Sequence, residues 1–198
     1  MRIIVITPTE YIPKEANIIV QLLEHGVWAV HLRKPGTDAA SLERLIQDIP
    51  LRWKSRLVLH DHFELAKPYA LKGVHLNRRN PIPPADFNGS ISRSLHSIDE
   101  LKDLDHLNYA FLSPIFDSIS KEGYHAAFSH EQIHEAHELG LINERVFALG
   151  GVSIDRLPDI ATMGFGGAAM LGDVWKHAAQ SDFNDYLDEL RALCTHLQ

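Results

Sequence analysis

The amino-acid sequence predicts a compact (β/α)₈ TIM barrel, and three observations carry that expectation. Eight short apolar runs punctuate the chain, most of them separated by segments of helical periodicity. Such alternation means parallel strands joined by crossover helices. Eight units fit one barrel, and 198 residues sit at the lower limit of about 200 for that fold. The rival, an open doubly wound sheet, calls for a glycine-rich phosphate turn after the first strand. Here that turn reads Thr7-Pro8-Thr9-Glu10-Tyr11, without a glycine.

The elements follow in order. Arg2 to Thr7 is a strand, and Lys14 to His25 a helix with Ile18, Ile19, Leu22 and Leu23 at helical spacing, closed by Gly26. Val27 to Leu32 is a near-continuous apolar run, as a strand covered on both faces requires. Thr37 to Ile49 is a helix with Leu42, Leu45, Ile46 and Ile49 on one stripe. Arg56 to Leu59 is a strand, Phe63 to Tyr69 a short helix, and Gly73 to Leu76 a strand. Asn80-Pro81-Ile82-Pro83-Pro84 forbids a regular helix. Ser90 to Leu95 is a strand, Ser97 to Leu104 a helix, and Tyr109 to Leu112 a strand. Ser129 to Leu139 is a helix closed by Gly140. Val146 to Leu149 is a strand, Asp155 to Met163 a helix, and Gly167 to Leu171 the last strand. A closing helix spans about 182–197 of what reads as one domain over 1–198.

Composition bounds the function. The chain is 45% hydrophobic and 23% charged, which suits a globular domain. A net charge of -7 argues against a nucleic-acid partner. No run approaches eighteen apolar residues, so no membrane span is expected. The short apolar N-terminus lacks a signal-peptide core and reads as strand. The single Cys194 cannot pair within the chain, which points to a reducing, cytoplasmic setting. Thirteen histidines raise metal and acid–base chemistry together.

Barrel chemistry sits where strands end and βα loops begin. Those ends form a polar set: His31-Leu32-Arg33-Lys34, His60-Asp61-His62, His75-Leu76-Asn77-Arg78, Ser94-Leu95-His96-Ser97, Ser113-Pro114, Gly150-Gly151 and Gly172-Asp173. Glycines at two consecutive ends suggest a phosphate cradle, since backbone N–H groups there approach an anion closely. Arg33 and Lys34 can pair with a second anion or stand solvated. Asp61 can hold Mg²⁺, orient a histidine, or cap the helix after it. His130-Glu131-Gln132-Ile133-His134 matches the H-E-x-x-H zinc pattern. Yet Ser129 and Gln132 have capping-box spacing, so the motif belongs to an outer helix away from the strand ends.

These strand ends resemble the family of thiamine phosphate synthases and TenI-type thiazole tautomerases. The resemblance runs from about Arg2 to Trp175. It rests on His31-Leu32-Arg33, Leu59-His60-Asp61, Gly73-Val74-His75-Leu76, Arg93-Ser94-Leu95-His96-Ser97, Ser113-Pro114-Ile115-Phe116 with Ser120-Lys121, and Ala148-Leu149-Gly150-Gly151-Val152. It implies a (β/α)₈ barrel acting on a thiazole phosphate. The synthase joins that phosphate to a pyrimidine diphosphate with Mg²⁺ assisting departure of pyrophosphate. The tautomerase shifts a double bond and needs no cofactor. The resemblance places Ser118, Ser120, Gly151, Leu171 and Gly172 around the thiazole phosphate. Arg33, His60, Ser94 and Lys121 would line the pyrimidine-diphosphate side, and Asp61 would match a Mg²⁺ ligand. The family often forms dimers, so a homodimer is an expectation.

Departures from the synthase pattern bear on which reaction is expected. That pattern has Gln-x-Arg-x-Lys at strand 2, where this chain has His31, Arg33 and Pro35, with Lys34 displaced by one position onto the opposite face. It has Asn-Asp at strand 3, here His60-Asp61, and a second Mg²⁺-binding Asp after strand 4, here Asn80 beside Arg78 and Arg79. His31-Leu32-Arg33 and Arg93 to Ser97 look more like the tautomerases. The tautomerase histidine of strand 6 is replaced by Pro114. The expectation is therefore a TenI-like thiazole tautomerase in which His60 or His96 moves the proton, with His31 a further candidate and Asp61 orienting His60. Arg33 would hold the substrate carboxylate. The alternatives are a divergent thiamine phosphate synthase and a non-catalytic binder of thiamine or thiazole phosphate.

Overall fold

The computed structural model describes residues 1–117 and 126–196. Its eight strands are β1 (Arg2–Ile6), β2 (Ala29–Leu32), β3 (Leu57–Leu59), β4 (Gly73–Leu76), β5 (Ser90–Leu95), β6 (Tyr109–Leu112), β7 (Val146–Leu149) and β8 (Gly167–Met170). Each pairs in parallel with the next, and β8 pairs with β1, so the sheet closes into the expected barrel.

Strand alternation sorts the core into two layers. Val30, Leu32, Leu57, Leu59, Val74 and Leu76 face outward and join the large cluster beneath the helices. The register aligns Ile6 with His31, His75 with Ser92, Ser92 with Tyr109, and Phe111 with Phe147, and these residues face the lumen. The lumen has two levels. Tyr109, Phe111 and Phe147 form an aromatic plug joined by Trp28, and the Arg2 guanidinium lies 4.9 Å from the Phe147 ring and 5.1 Å from that of Trp28. Polar side chains fill the other level, toward the C-terminal strand ends.

The helices obey their sequence signals. In α1 (Glu15–Glu24) Ile19, Leu22 and Leu23 are buried, and Gly26 ends the segment at φ +96°. The Asp38 side chain caps α2 (Ala39–Asp48), accepting from Ser41 N at 2.7 Å. A single turn, α3 (Leu51–Lys54), follows it. Ser129 and Gln132 form the capping box of α4 (His130–Glu138). A 3₁₀ turn at Ile154–Arg156 leads into α5 (Leu157–Thr162). Helices α6 (Gly172–Ala178) and α7 (Phe183–His196) close the chain, and α6 lies outside the ranges that periodicity marked.

Two expected helices shrink to 3₁₀ turns, Phe63–Leu65 and Asp99–Lys102. Pro68 has no N–H to continue the ladder, so the first stops after one turn and runs on as hydrogen-bonded turns to Ala70. In the second, Glu100 Oε2 accepts from His96 N at 2.7 Å and Ser97 N at 3.0 Å, fixing a tight turn that buries Leu101. After β4 the proline segment carries no helix. Among the described residues no helix is long and apolar enough to cross a membrane.

Candidate active site

The corner between β3 and β4 carries the charged side chains. Asp61 follows β3 and is buried. Its Oδ1 accepts from Arg79 Nε at 3.0 Å and Nη2 at 2.9 Å, and from Asn80 Nδ2 at 3.4 Å. Its Oδ2 is buried and accepts no hydrogen bond among the described residues. Asn77 and Asn80 both donate to the His60 carbonyl, at 2.6 and 3.1 Å, which ties the proline loop to β3. Asp61, Arg79 and Asn80 face a cavity of about 310 Å³ that Gly36, Phe63 and Glu64 also line. A buried carboxylate oxygen left without a donor is costly unless a cation or donor completes it. This donor set fits one Mg²⁺, which takes one or two carboxylates and leaves the rest of its shell to phosphates and water. Asn80 supplies no second carboxylate.

Beneath this corner three imidazoles share the lumen. His31 Nδ1 lies 2.9 Å from His60 Nε2, and His31 Nε2 lies 2.7 Å from the Tyr109 hydroxyl. His75 contacts Ser92 Oγ at 2.9 Å through Nδ1 and Ser94 Oγ at 3.1 Å through Nε2. His60 and His75 stack with centroids 4.2 Å apart. Burial holds all three well toward the neutral form; His75 is pulled down to about 3. The neighbouring imidazole of His75 lowers His31 and His60 further. Asp61 does not orient His60 as expected, because its carboxylate turns to Arg79; the partner of the His60 ring is His31. Both members of that pair stand where the synthase pattern carries an amide.

The opposite side, after β6 to β8, is built from backbone. Gly150 and Gly151 sit at φ +95° and +65°. A Cβ on Gly151 would lie 2.2 Å from the Asp117 carbonyl oxygen, and one on Gly150 2.8 Å from Pro114 Cα. The glycine pair therefore lets the β7 loop lie directly against the β6 loop. Leu171 caps α6, and Gly172 begins it. Asp173 Oδ2 accepts from Ile154 N and the Tyr186 hydroxyl, each at 3.0 Å, and locks the β7 and β8 loops together. A cavity of about 810 Å³ opens beside Gly151, lined by Phe116, Ser153 and Arg156 among others.

The remaining expected residues divide. Arg33 is half-buried, its backbone N–H donates to Thr7 Oγ1 at 2.9 Å, and its positive charge lowers the pKa of His60. Ser94 faces His75 in the lumen. His96 is exposed, with Nδ1 3.0 Å from the Ser113 carbonyl, apart from the histidine cluster. Lys34 is fully buried and bonds Pro8 O, Glu10 O and the Glu15 carboxylate at 2.8–3.0 Å. It is a structural tie between the β2 end and α1, and burial pulls it down and Glu15 up. His130 and His134 are exposed on α4, as the capping box implied. Ser118, Ser120 and Lys121 lie outside the described residues. Tyr109 and Ser92 were not singled out by the sequence, and Arg79 stood out only as one of the two cations beside Asn80. Strand alternation is the signal for the first two, since both share the lumen face with His31 and His75.

The closed eight-stranded α/β barrel carries a charged corner and a glycine-built rim at its C-terminal strand ends, the face on which enzymes of this fold hold their active sites. The family model described as thiamine monophosphate synthase matches residues 3–174, and the chain belongs to that family. A solved thiamine phosphate pyrophosphorylase from Bacteroides thetaiotaomicron is 38% identical and superposes with a TM-score of 0.85 over 98% of this chain and 95% of its own. The thiamine-phosphate synthase of Actinobacillus succinogenes is 24% identical, covering 80% of this chain and 78% of that protein. That of Dictyoglomus turgidum is 26% identical, covering 81% and 76%. These names support the synthase alternative better than the tautomerase that the His31 and Arg93 segments favoured.

Proposed function

We propose that the chain is a thiamine-phosphate synthase, coupling a pyrimidine methyl diphosphate to a thiazole phosphate with release of diphosphate. The observation that carries this reading is Asp61, one carboxylate oxygen held by Arg79 and the other buried without a donor, on the cavity between β3 and β4. A leaving diphosphate needs concentrated positive charge, and this corner supplies it. Arg79 stays beside Asp61, and Arg33 is close enough to act on His60. Asp61 Oδ2 would hold Mg²⁺, which when bound neutralises the departing diphosphate. Arginine suits the same task because its planar fork pairs with phosphate oxygens. Their charge offsets the loss of a second carboxylate at Asn80.

The thiazole phosphate would sit on the opposite rim, at Gly151, Leu171 and Gly172. Ser118 and Ser120 are assigned to the same pocket by resemblance, and Lys121 to the pyrimidine-diphosphate side. The buried, neutral lumen imidazoles close the floor between the two rims without adding charge. Fixing both substrates converts the encounter into a nearly unimolecular displacement.

The test is a coupling assay with both substrates and Mg²⁺, thiamine phosphate being read as fluorescent thiochrome. Steady turnover that stops with EDTA is expected. No product, beside an active synthase control, would overturn the proposal.

A further inference from the structure

The lumen histidines have a use that the coupling reaction does not require. His31, His60 and His75 each offer a ring nitrogen, and these lie within 4.8 Å of one another. Among the described residues they are the one group of three or more metal-ligating side chains so placed. All three are buried, at 0%, 5% and 2% exposure. We infer that His31, His60 and His75 form a binding site for a divalent transition-metal ion of the Zn²⁺ class, separate from the carboxylate corner at Asp61.

The facing pair sets the geometry. His31 Nδ1 and His60 Nε2 stand 2.9 Å apart, so in the free protein one must carry the proton that the other accepts. Zn–N bonds of about 2.0–2.1 Å place two tetrahedral ligand nitrogens roughly 3.3 Å apart. Opening the pair by a few tenths of an ångström and tilting both rings, so that their lone pairs leave the N···N line and meet at one point, turns the pair into two ligands, with the bridging proton moved to the outer nitrogen of its own ring. His31 then donates through Nε2–H to the Tyr109 oxygen, 2.7 Å away. His75 brings Nε2 by rotating it off Ser94 Oγ while Nδ1–H stays on Ser92 Oγ, now at 2.9 Å. Ligating histidines need this kind of outer hydrogen bond to fix tautomer and ring direction, and two of the three already have it.

The chemistry of the set selects the ion. Three imidazoles without a carboxylate suit Zn²⁺, Co²⁺, Ni²⁺ or Cu²⁺ and are poor ligands for Mg²⁺. Histidine must be neutral to ligate, and burial keeps these three neutral. Phe111, 4.8 Å from the His75 ring and 5.1 Å from that of His31, walls the site. His60 is the most accessible of the three. Arg33 and Arg79 act on His60 and Lys72 on His31, so their positive field favours an anionic fourth ligand such as hydroxide or chloride.

The experiment uses the full chain without a histidine tag, stripped by chelator and titrated with Co²⁺ alone. One equivalent is expected, with the intense visible bands of a four-coordinate site, and Zn²⁺ should displace it. H31Q and H75N should each weaken binding at least about 10-fold. The H130N/H134N double variant on α4 should leave it unchanged. Circular dichroism checks each fold, and H60N replaces any variant that fails. Absence of a stoichiometric band, or a band that survives both H31Q and H60N, would overturn the site. Neither readout involves turnover, so failure here leaves the synthase proposal standing, and failure of the coupling assay leaves this one standing.

Discussion

The β3–β4 side of the barrel mouth presents side chains: Asp61, Arg79, Asn80 and, below them, three imidazoles. The β6–β8 side presents main chain: two glycines at positive φ, pressed against the β6 loop, and the first turn of α6. A side-chain site is tuned by charge and protonation, and one substitution changes its chemistry. A main-chain site is tuned by shape, and one added carbon breaks it. The two substrates of the proposed reaction make matching demands. A leaving diphosphate needs charge that concentrates, whereas a phosphate that is only an anchor needs a cradle that stays put.

The largest effect expected on the charged side is from D61N, which keeps the shape but removes the charge that Arg79 pairs with. It should lower kcat/KM for coupling by about 10²–10³-fold, with little change in melting temperature; a wild-type rate would remove Asp61 from the reaction. Beneath both sides, F147A in the aromatic plug should cost about 3–5 kcal/mol of stability. Urea unfolding measures that loss, and a cost under 1 kcal/mol would mean the plug is not a shared floor. On the main-chain side, G151A puts a carbon 2.2 Å from the Asp117 oxygen at φ +65°. It should destabilise by about 1–3 kcal/mol and raise KM for the thiazole phosphate more than for the diphosphate. The smallest effect is electrostatic. His75 titrates near 3 in the folded chain against 6.5 ordinarily. Between those values the unfolded chain binds the extra proton, so stability falls as pH falls. This one group contributes about 1.4 kcal/mol per pH unit. In metal-free protein, H75N should flatten the slope of unfolding free energy between pH 6.5 and 5, and an unaltered slope would contradict the burial argument.

The sequence made different parts of this molecule legible to different degrees. Most of the eight strands were readable because a barrel strand covered on both faces is a short apolar run, as in Val146–Leu149 and Tyr109–Leu112; β5, Ser-Ile-Ser-Arg-Ser-Leu, is not such a run. Short connectors were not, because Phe63–Leu65 and Asp99–Lys102 carry helical composition over too few residues to propagate a helix. At the site, position was legible and pairing was not. His60, Asp61 and Gly151 could be placed at strand ends by counting. That Asp61 turns to Arg79, eighteen positions on, depends on how the proline loop folds back, and no local pattern records it. Lys34 shows the converse. A one-residue offset on a strand was enough to place it on the outer face, where it meets Glu15.

The most direct test of the two-sided account is calorimetric binding of each substrate separately to D61N in the presence of Mg²⁺. Loss of the pyrimidine diphosphate with undiminished affinity for the thiazole phosphate is the predicted result. Equal weakening of both, or retention of the diphosphate, would contradict the division of the barrel mouth into a charged side and a main-chain side.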